Sequence, residues 1–183
     1  MKTEALERYL NSFGKQVVNR AKGNLQKSKG GGTALEKSID FKVTTNAEGF
    51  AVQFFMTDYG TFVDKGVSGT NKRRSFKDYK GKVITSPYKF GTGSSRVGKA
   101  KGGMSGIMAK WAKRKGFQWR DKETGKFMSH KSMGYIIARS IYSKGIKGIS
   151  FFQRPLQLGM KDFPKEMLGA VKDDIINGLT TVK

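Results

Sequence analysis

Catalysis requires groups that can move protons, attack an electrophile or hold a metal ion, and few residues here are spaced to cooperate in that way. His130 is the single histidine and no cysteine occurs, so neither a thiolate metal site nor a cysteine–histidine pair can form. His130 lies in Ser129-His130-Lys131, a polar basic run that reads as solvated surface. The acids are scattered, and neighbours along a helix do not share a face, so Asp173-Asp174 read as solvent-facing. A carboxylate-based, metal-dependent nuclease is the enzymatic reading that these acids leave open. Gly91-Thr92-Gly93-Ser94-Ser95-Arg96-Val97-Gly98 has the look of a phosphate-cradling loop, but it lacks the GK[ST] ending and an apolar strand before it. It reads as a flexible loop, so no catalytic residue, metal ligand or cofactor is assigned.

Binding is better provided for. Lys72-Arg73-Arg74, Phe76, Lys77, Tyr79, Lys80 and Lys82 interleave cations with aromatic rings, and Tyr88, Lys89 and Phe90 continue the pattern. Arg96, Lys99, Lys101, Lys113 and Arg114 extend the charge. Such a series can bind single strands by stacking plus phosphate contact, and it equally matches a protein interface rich in Tyr, Phe and Arg. These residues form the candidate docking or nucleic-acid interface, with both partner classes open.

The chain carries 36 Lys and Arg against 14 Asp and Glu, a formal +22. That exceeds what solubility requires, and a field of this size implies a polyanionic partner. It is unevenly spread. Residues 1–63 hold a net +3, residues 64–133 a net +15 and residues 134–183 a net +4.

The 183 residues suit a single domain, 1–183, interrupted by a basic insertion over 67–133. The N-terminus mixes acids and bases without a signal peptide's apolar run. No stretch approaches the ~18 apolar residues of a membrane span, so the expectation is a soluble, cytosolic product. Leu6, Tyr9, Leu10, Phe13, Val17, Ala21 and Leu25 recur at helical steps and predict a long amphipathic helix. Lys29-Gly30-Gly31-Gly32 breaks it, and Thr33 with Glu36 has capping-box spacing for a short helix through Leu35 and Ser38. Ile39, Phe41 and Val43, then Phe50, Val52, Phe54 and Met56, alternate around a turn and predict a β-hairpin, with Phe55 suggesting cover on its second face. Ile107, Met108 and Trp111 predict a short helix stopped by Gly116, and Asp121 to Gly125 a turn joining strands through Trp119 and Phe127. A helix over 132–143 stopped by Gly145, a strand at Ile149, Phe151 and Phe152 halted by Pro155, and a final helix from Phe163 to Leu179 complete the order. The fold class is α+β: a small antiparallel sheet flanked by long N- and C-terminal amphipathic helices, with a long basic glycine-rich insertion.

Several segments, in this order, resemble the tail-completion or head–tail joining neck proteins of long-tailed bacteriophages. Gly32-Thr33-Ala34-Leu35-Glu36-Lys37-Ser38-Ile39 is similar to that family's TG-x-L-x-x-SI run, with Ala34 where a glycine is usual. Tyr59-Gly60-Thr61-Phe62-Val63-Asp64-Lys65-Gly66 resembles its Y-x-x-F-V-E-x-G segment. Tyr135 to Ile141 and then Gly145-Ile146-Lys147-Gly148-Ile149-Ser150-Phe151-Phe152 resemble its pre-strand helix and G-I-x-G-x-x-F-F stretch. Residues 67–103 have no counterpart.

The resemblance implies a non-enzymatic virion protein that forms a ring, usually hexameric, in the neck. Its implied partners are further copies of itself, adjacent portal, adaptor and tail proteins, and double-stranded DNA in the lumen. It would be found in the virion, and in host cytoplasm during assembly, without a membrane. Thr33, Leu35, Ser38, Tyr59, Phe62, Val63, Gly66, Gly145, Phe151 and Phe152 are then structural positions. The role of residues 67–103 is not implied by the resemblance; their charge and glycine content suggest an arm that docks to acidic faces of adjacent rings or to DNA. Its deletion is expected to leave a folded body that no longer joins heads to tails.

Overall fold

The computed structural model describes residues 3–29, 31–46, 49–90 and 103–180. Its elements run α1 (Glu4–Lys29), α2 (Ala34–Ser38), β1 (Asp40–Asn46), β2 (Gly49–Phe55), α3 (Tyr59–Lys65), β3 (Ser75–Lys77), β4 (Val83–Thr85), α4 (Gly103–Arg114), α5 (His130–Lys144) and α6 (Gln153–Thr180). Among the described residues the architecture is mixed, with six helices and two small antiparallel sheets, β1–β2 and β3–β4. Two compact units form, one from residues 1–65, 76–84 and 149–183, the other from residues 66–75 and 85–148.

In the first unit the apolar stripe of α1 does what its spacing requires. Leu6, Leu10, Phe13, Val17, Ala21 and Leu25 are all buried. Phe13, Val17, Leu25, Leu35, Ile39, Phe151 and Phe152 share one core, against which Phe41, Phe54 and Phe163 pack. The β1–β2 hairpin pairs Phe41 with Phe54 and Val43 with Val52. A Cβ on Gly14 would enter the ring of Phe41, so glycine in mid-helix lets β1 close onto α1. One face of the hairpin is covered. Phe55 on the other is 49% exposed, so cover of the second face is only partial.

The expected capping box forms at α2. Thr33 Oγ1 accepts from Glu36 N–H at 3.2 Å, and Glu36 Oε2 reaches back to the N–H of Gly32, one residue beyond the usual target.

Three expectations are corrected around α6. Ile149, Phe151 and Phe152 form no strand; they lie in a turn that leads directly into the helix. Ser150 sits there at φ 49°, an uncommon conformation for a residue with a side chain, and its N–H donates to Asp64 C=O at 3.0 Å. Pro155 does not halt an element but occupies the first turn of α6, where a missing N–H costs nothing. The helix thus starts ten residues before Phe163 and contains Pro164. Asp174 is not solvent-facing: only 5% exposed, it accepts from Ala5 N–H at 2.8 Å and Leu6 N–H at 2.9 Å. A carboxylate on α6 thereby caps the first turn of α1, where the helix dipole favours negative charge.

The second unit is built on α4 and α5. Gly134 of α5 lies against Ala109 N and Ser105 O of α4, leaving no room for a Cβ. Gly116, at φ 69°, stops α4, with Phe117 N–H donating to Ala112 C=O, and Gly145, at φ 70°, stops α5 by donating to Ile141 C=O.

Residues 66–75 and 85–90 belong to this framework and are not a free arm. Val67 and Ile146 exchange backbone hydrogen bonds at 2.9 and 2.8 Å, Ser68 N–H donates to Tyr88 C=O, and Ser86 Oγ donates to Gly66 C=O. Within residues 67–103, the backbone of 67–72 pairs with the α5 exit, and residues 86–90 pair with Gly66, Ser68 and Arg74. No paired strands form around Trp119 and Phe127; a single bridge joins Arg120 to Phe127.

Candidate docking surface

The motif-bearing positions of the first unit come from three stretches distant in sequence and converge. Ser38 Oγ donates to Leu35 C=O at 2.8 Å, lies 3.3 Å from Thr57 Oγ1 and accepts from Thr57 N–H, tying α2 to the segment ahead of α3. Leu35 lies against Gly60, where a Cβ would come within 2.9 Å of its Cδ1. Val63 C=O accepts from Ile149 N–H at 3.1 Å. Asp64, 2% exposed, accepts from Phe152 N–H at 2.8 Å, joining α3 to the start of α6. Burial raises its carboxyl above the ordinary range, against the opposing pull of the Phe152 and Gln153 N–H groups. Phe151 and Phe152 are in the core beside Leu35. Tyr59 and Phe62, also motif positions, remain exposed.

Elsewhere in this unit, Tyr9 packs on Phe163, and burial together with Glu166 raises its hydroxyl to about 12.

The candidate cations are divided between the two units. Lys77, Tyr79, Lys80 and Lys82 belong to the first unit, on the β3–β4 hairpin. Asp78 Oδ1 shapes its tip by accepting from the N–H groups of Lys80 and Lys82, and the Lys80 ammonium lies 5.6 Å from the Tyr79 ring centre. Lys72, Arg73, Arg74, Tyr88, Lys89, Lys113 and Arg114 belong to the second. The 69–74 loop closes the C-terminus of α5: Thr70 N–H donates to Tyr142 C=O, Asn71 and Lys72 N–H to Ser143 C=O, and Arg74 Nε to Lys144 C=O at 2.9 Å. Arg74 thus satisfies a helix end, a structural task that its place in a basic run does not reveal. Lys72 and Arg73 are exposed, as are Lys89, Lys113 and Arg114. Arg96, Lys99, Lys101 and the glycine-rich run from Gly91 to Gly98 lie outside the described residues.

The second unit contains 18 basic residues and only two acids, Asp121 and Glu123. Asp121 is occupied: its Oδ1 accepts from the N–H groups of Glu123 and Thr124 and from Thr124 Oγ1, which holds the carboxyl below its usual range. Around the turn it organises lie Phe117, Trp119 and Phe127, of which the sequence suggested Trp119 and Phe127 only as parts of paired strands. Their interleaving with Lys and Arg, as in residues 72–90, is the signal that could have marked them. A groove of about 700 Å³ also opens beside α5, lined by Asn71, Ser105, Tyr135, Arg139 and Tyr142 among others. Tyr142 stacks on Phe90 there, with ring centres 5.8 Å apart.

Among the described residues no three of His, Cys, Asp and Glu are grouped to hold a metal ion, and no helix is long and apolar enough to cross a membrane. Comparison with protein-family models, with curated proteins and with solved structures gave no match.

Proposed function

We propose that this chain is a structural, non-enzymatic virion protein that forms a homo-oligomeric ring, hexameric as in the family it resembles, in the neck of a long-tailed phage. In that role it joins the portal–adaptor end of the head to the tail and surrounds the DNA channel. The observation that carries the reading is the meeting of Leu35 and Ser38, Gly60 to Asp64, and Ile149 to Phe152 in one hydrogen-bonded core. Short motifs that match by chance need not contact one another, whereas the segments of a real family core must. Particle fractionation with mass spectrometry, together with native mass spectrometry of the purified protein, tests it. The expected result is presence in intact virions and a ring of defined copy number; absence from particles, or a strict monomer at all concentrations, overturns it.

The 18-to-2 charge ratio of the second unit supports a second reading, a free nucleic-acid-binding protein. Counterion release then requires affinity for DNA to fall steeply as salt rises. Weak, salt-insensitive binding removes that reading.

A further inference from the structure

The connector from α4 to α5 places three aromatic side chains at the surface: Phe117 is 40% exposed, Trp119 39% and Phe127 60%. The segments that carry them are held by defined contacts. Phe117 is fastened at the end of α4 by its N–H and packs on Trp111 with ring centres 5.1 Å apart. Met128 N–H donates to Trp119 C=O at 2.8 Å, and Asp121 N–H donates to Lys126 C=O, so the two arms of the connector are tied across the Asp121 turn. The Arg120 guanidinium lies 4.7 Å from the centre of the Phe127 ring. Six Lys and Arg fall between residues 113 and 127, and the one acid besides Asp121 is Glu123.

We propose that this connector is a stacking platform for single-stranded nucleic acid, with a base lying on Trp119 and phosphates on the surrounding cations. The inference rests on the nucleic-acid reading above and specifies its site and its ligand. Exposed rings bind unstacked bases, which a duplex keeps inside; a duplex would use the cations alone. A protein partner would meet a surface of mixed sign at its rim, whereas a unit with 18 bases and two acids is matched by a chain carrying an anion at every repeat.

Trp111 and Trp119 are the only tryptophans, so a W111F protein reports through Trp119 alone. The full-length chain is titrated with an oligothymidylate, a duplex of equal length, polyglutamate and phosphatidylglycerol vesicles. The oligothymidylate is expected to quench Trp119 with strong salt dependence, and the duplex to bind without quenching. W119A is expected to weaken oligothymidylate binding about tenfold, the lower part of the range for losing one stacked base, while W119F stays within about threefold. F127A, at the position bridged to Arg120 and so turned away from Trp119, should stay within about threefold.

Unchanged oligothymidylate affinity in W119A, or an equal loss in F127A, overturns the platform while leaving nucleic-acid binding in place. Absence of any nucleic-acid binding overturns both. Quenching by polyglutamate or by vesicles at lower concentration than by oligothymidylate overturns the platform in favour of an acidic protein or an anionic membrane.

Discussion

Replacing Asp174 by alanine is expected to loosen the start of α1 although the substitution lies on α6. Its carboxylate oxygens accept from Ala5 and Leu6 N–H at 2.8 and 2.9 Å in a site only 5% exposed. A hydrogen bond to a charged group contributes about 1.5–3 kcal/mol, and loss of a helix N-cap costs about 0.5–2 kcal/mol. Ala5 is partly open and can recruit water, whereas Leu6 is buried and cannot, so one of the two bonds is lost nearly in full. The expected cost of D174A is about 2–3 kcal/mol, or roughly 5–10 °C in Tm for a chain of this length. D174N keeps one acceptor and loses the charge, for about 1 kcal/mol. D173A, on an exposed neighbour, should stay within about 0.5 kcal/mol of the parent. Hydrogen exchange of the Ala5 and Leu6 amides, with helix-signal urea unfolding, reads the effect at its source, since both tryptophans lie in the other unit. A D174A midpoint and exchange pattern matching D173A would refute the cap.

Asp64 makes a pH prediction of definite sign. Its folded-state pKa is raised by burial, so the folded form holds the proton more tightly than the unfolded one. That contribution to stability is complete below the unfolded value of about 3.9 and is lost as pH rises through the folded value. D64N retains an oxygen for Phe152 N–H and is expected to flatten this decline in urea midpoints above pH ~4; an identical slope in the variant contradicts the assignment. Gly134→Ala improves helix propensity by up to about 1 kcal/mol, yet its Cβ would meet Ala109 N and Ser105 O at 2.5 Å. Overpacking of about 1–3 kcal/mol should dominate, seen as a lower urea midpoint with Trp111 emission shifted to the red; a higher midpoint would show that α4 gives way freely. Deleting residues 67–103 removes the Val67–Ile146 pair and the loop that closes α5. Loss of exchange protection in α5 is expected, and full protection would show that the helix pair stands alone.

What the residues alone determined is what depends on short-range spacing. The stripe of α1, the Thr33–Glu36 cap, the alternation around the β1–β2 turn and the stops at Gly116 and Gly145 are local preferences, and the fold keeps each of them. The interleaving of cations and rings was equally legible, as was the concentration of charge in the middle of the chain. Tertiary structure decided the rest, because it turns on which groups need partners from elsewhere. Phe151 and Phe152 look like strand residues, but among the described residues they pair with no strand, and the core draws them into a turn pinned by Asp64. Asp174 looks like a solvent acid until the orphan N–H groups of α1 come within 3 Å. The basic stretch after Gly66 reads as a loose arm, yet the carbonyls at the end of α5 require donors, and Thr70, Asn71, Lys72 and Arg74 supply them. A sequence displays a residue's charge and its neighbours; only the folded chain shows which distant backbone group it must satisfy.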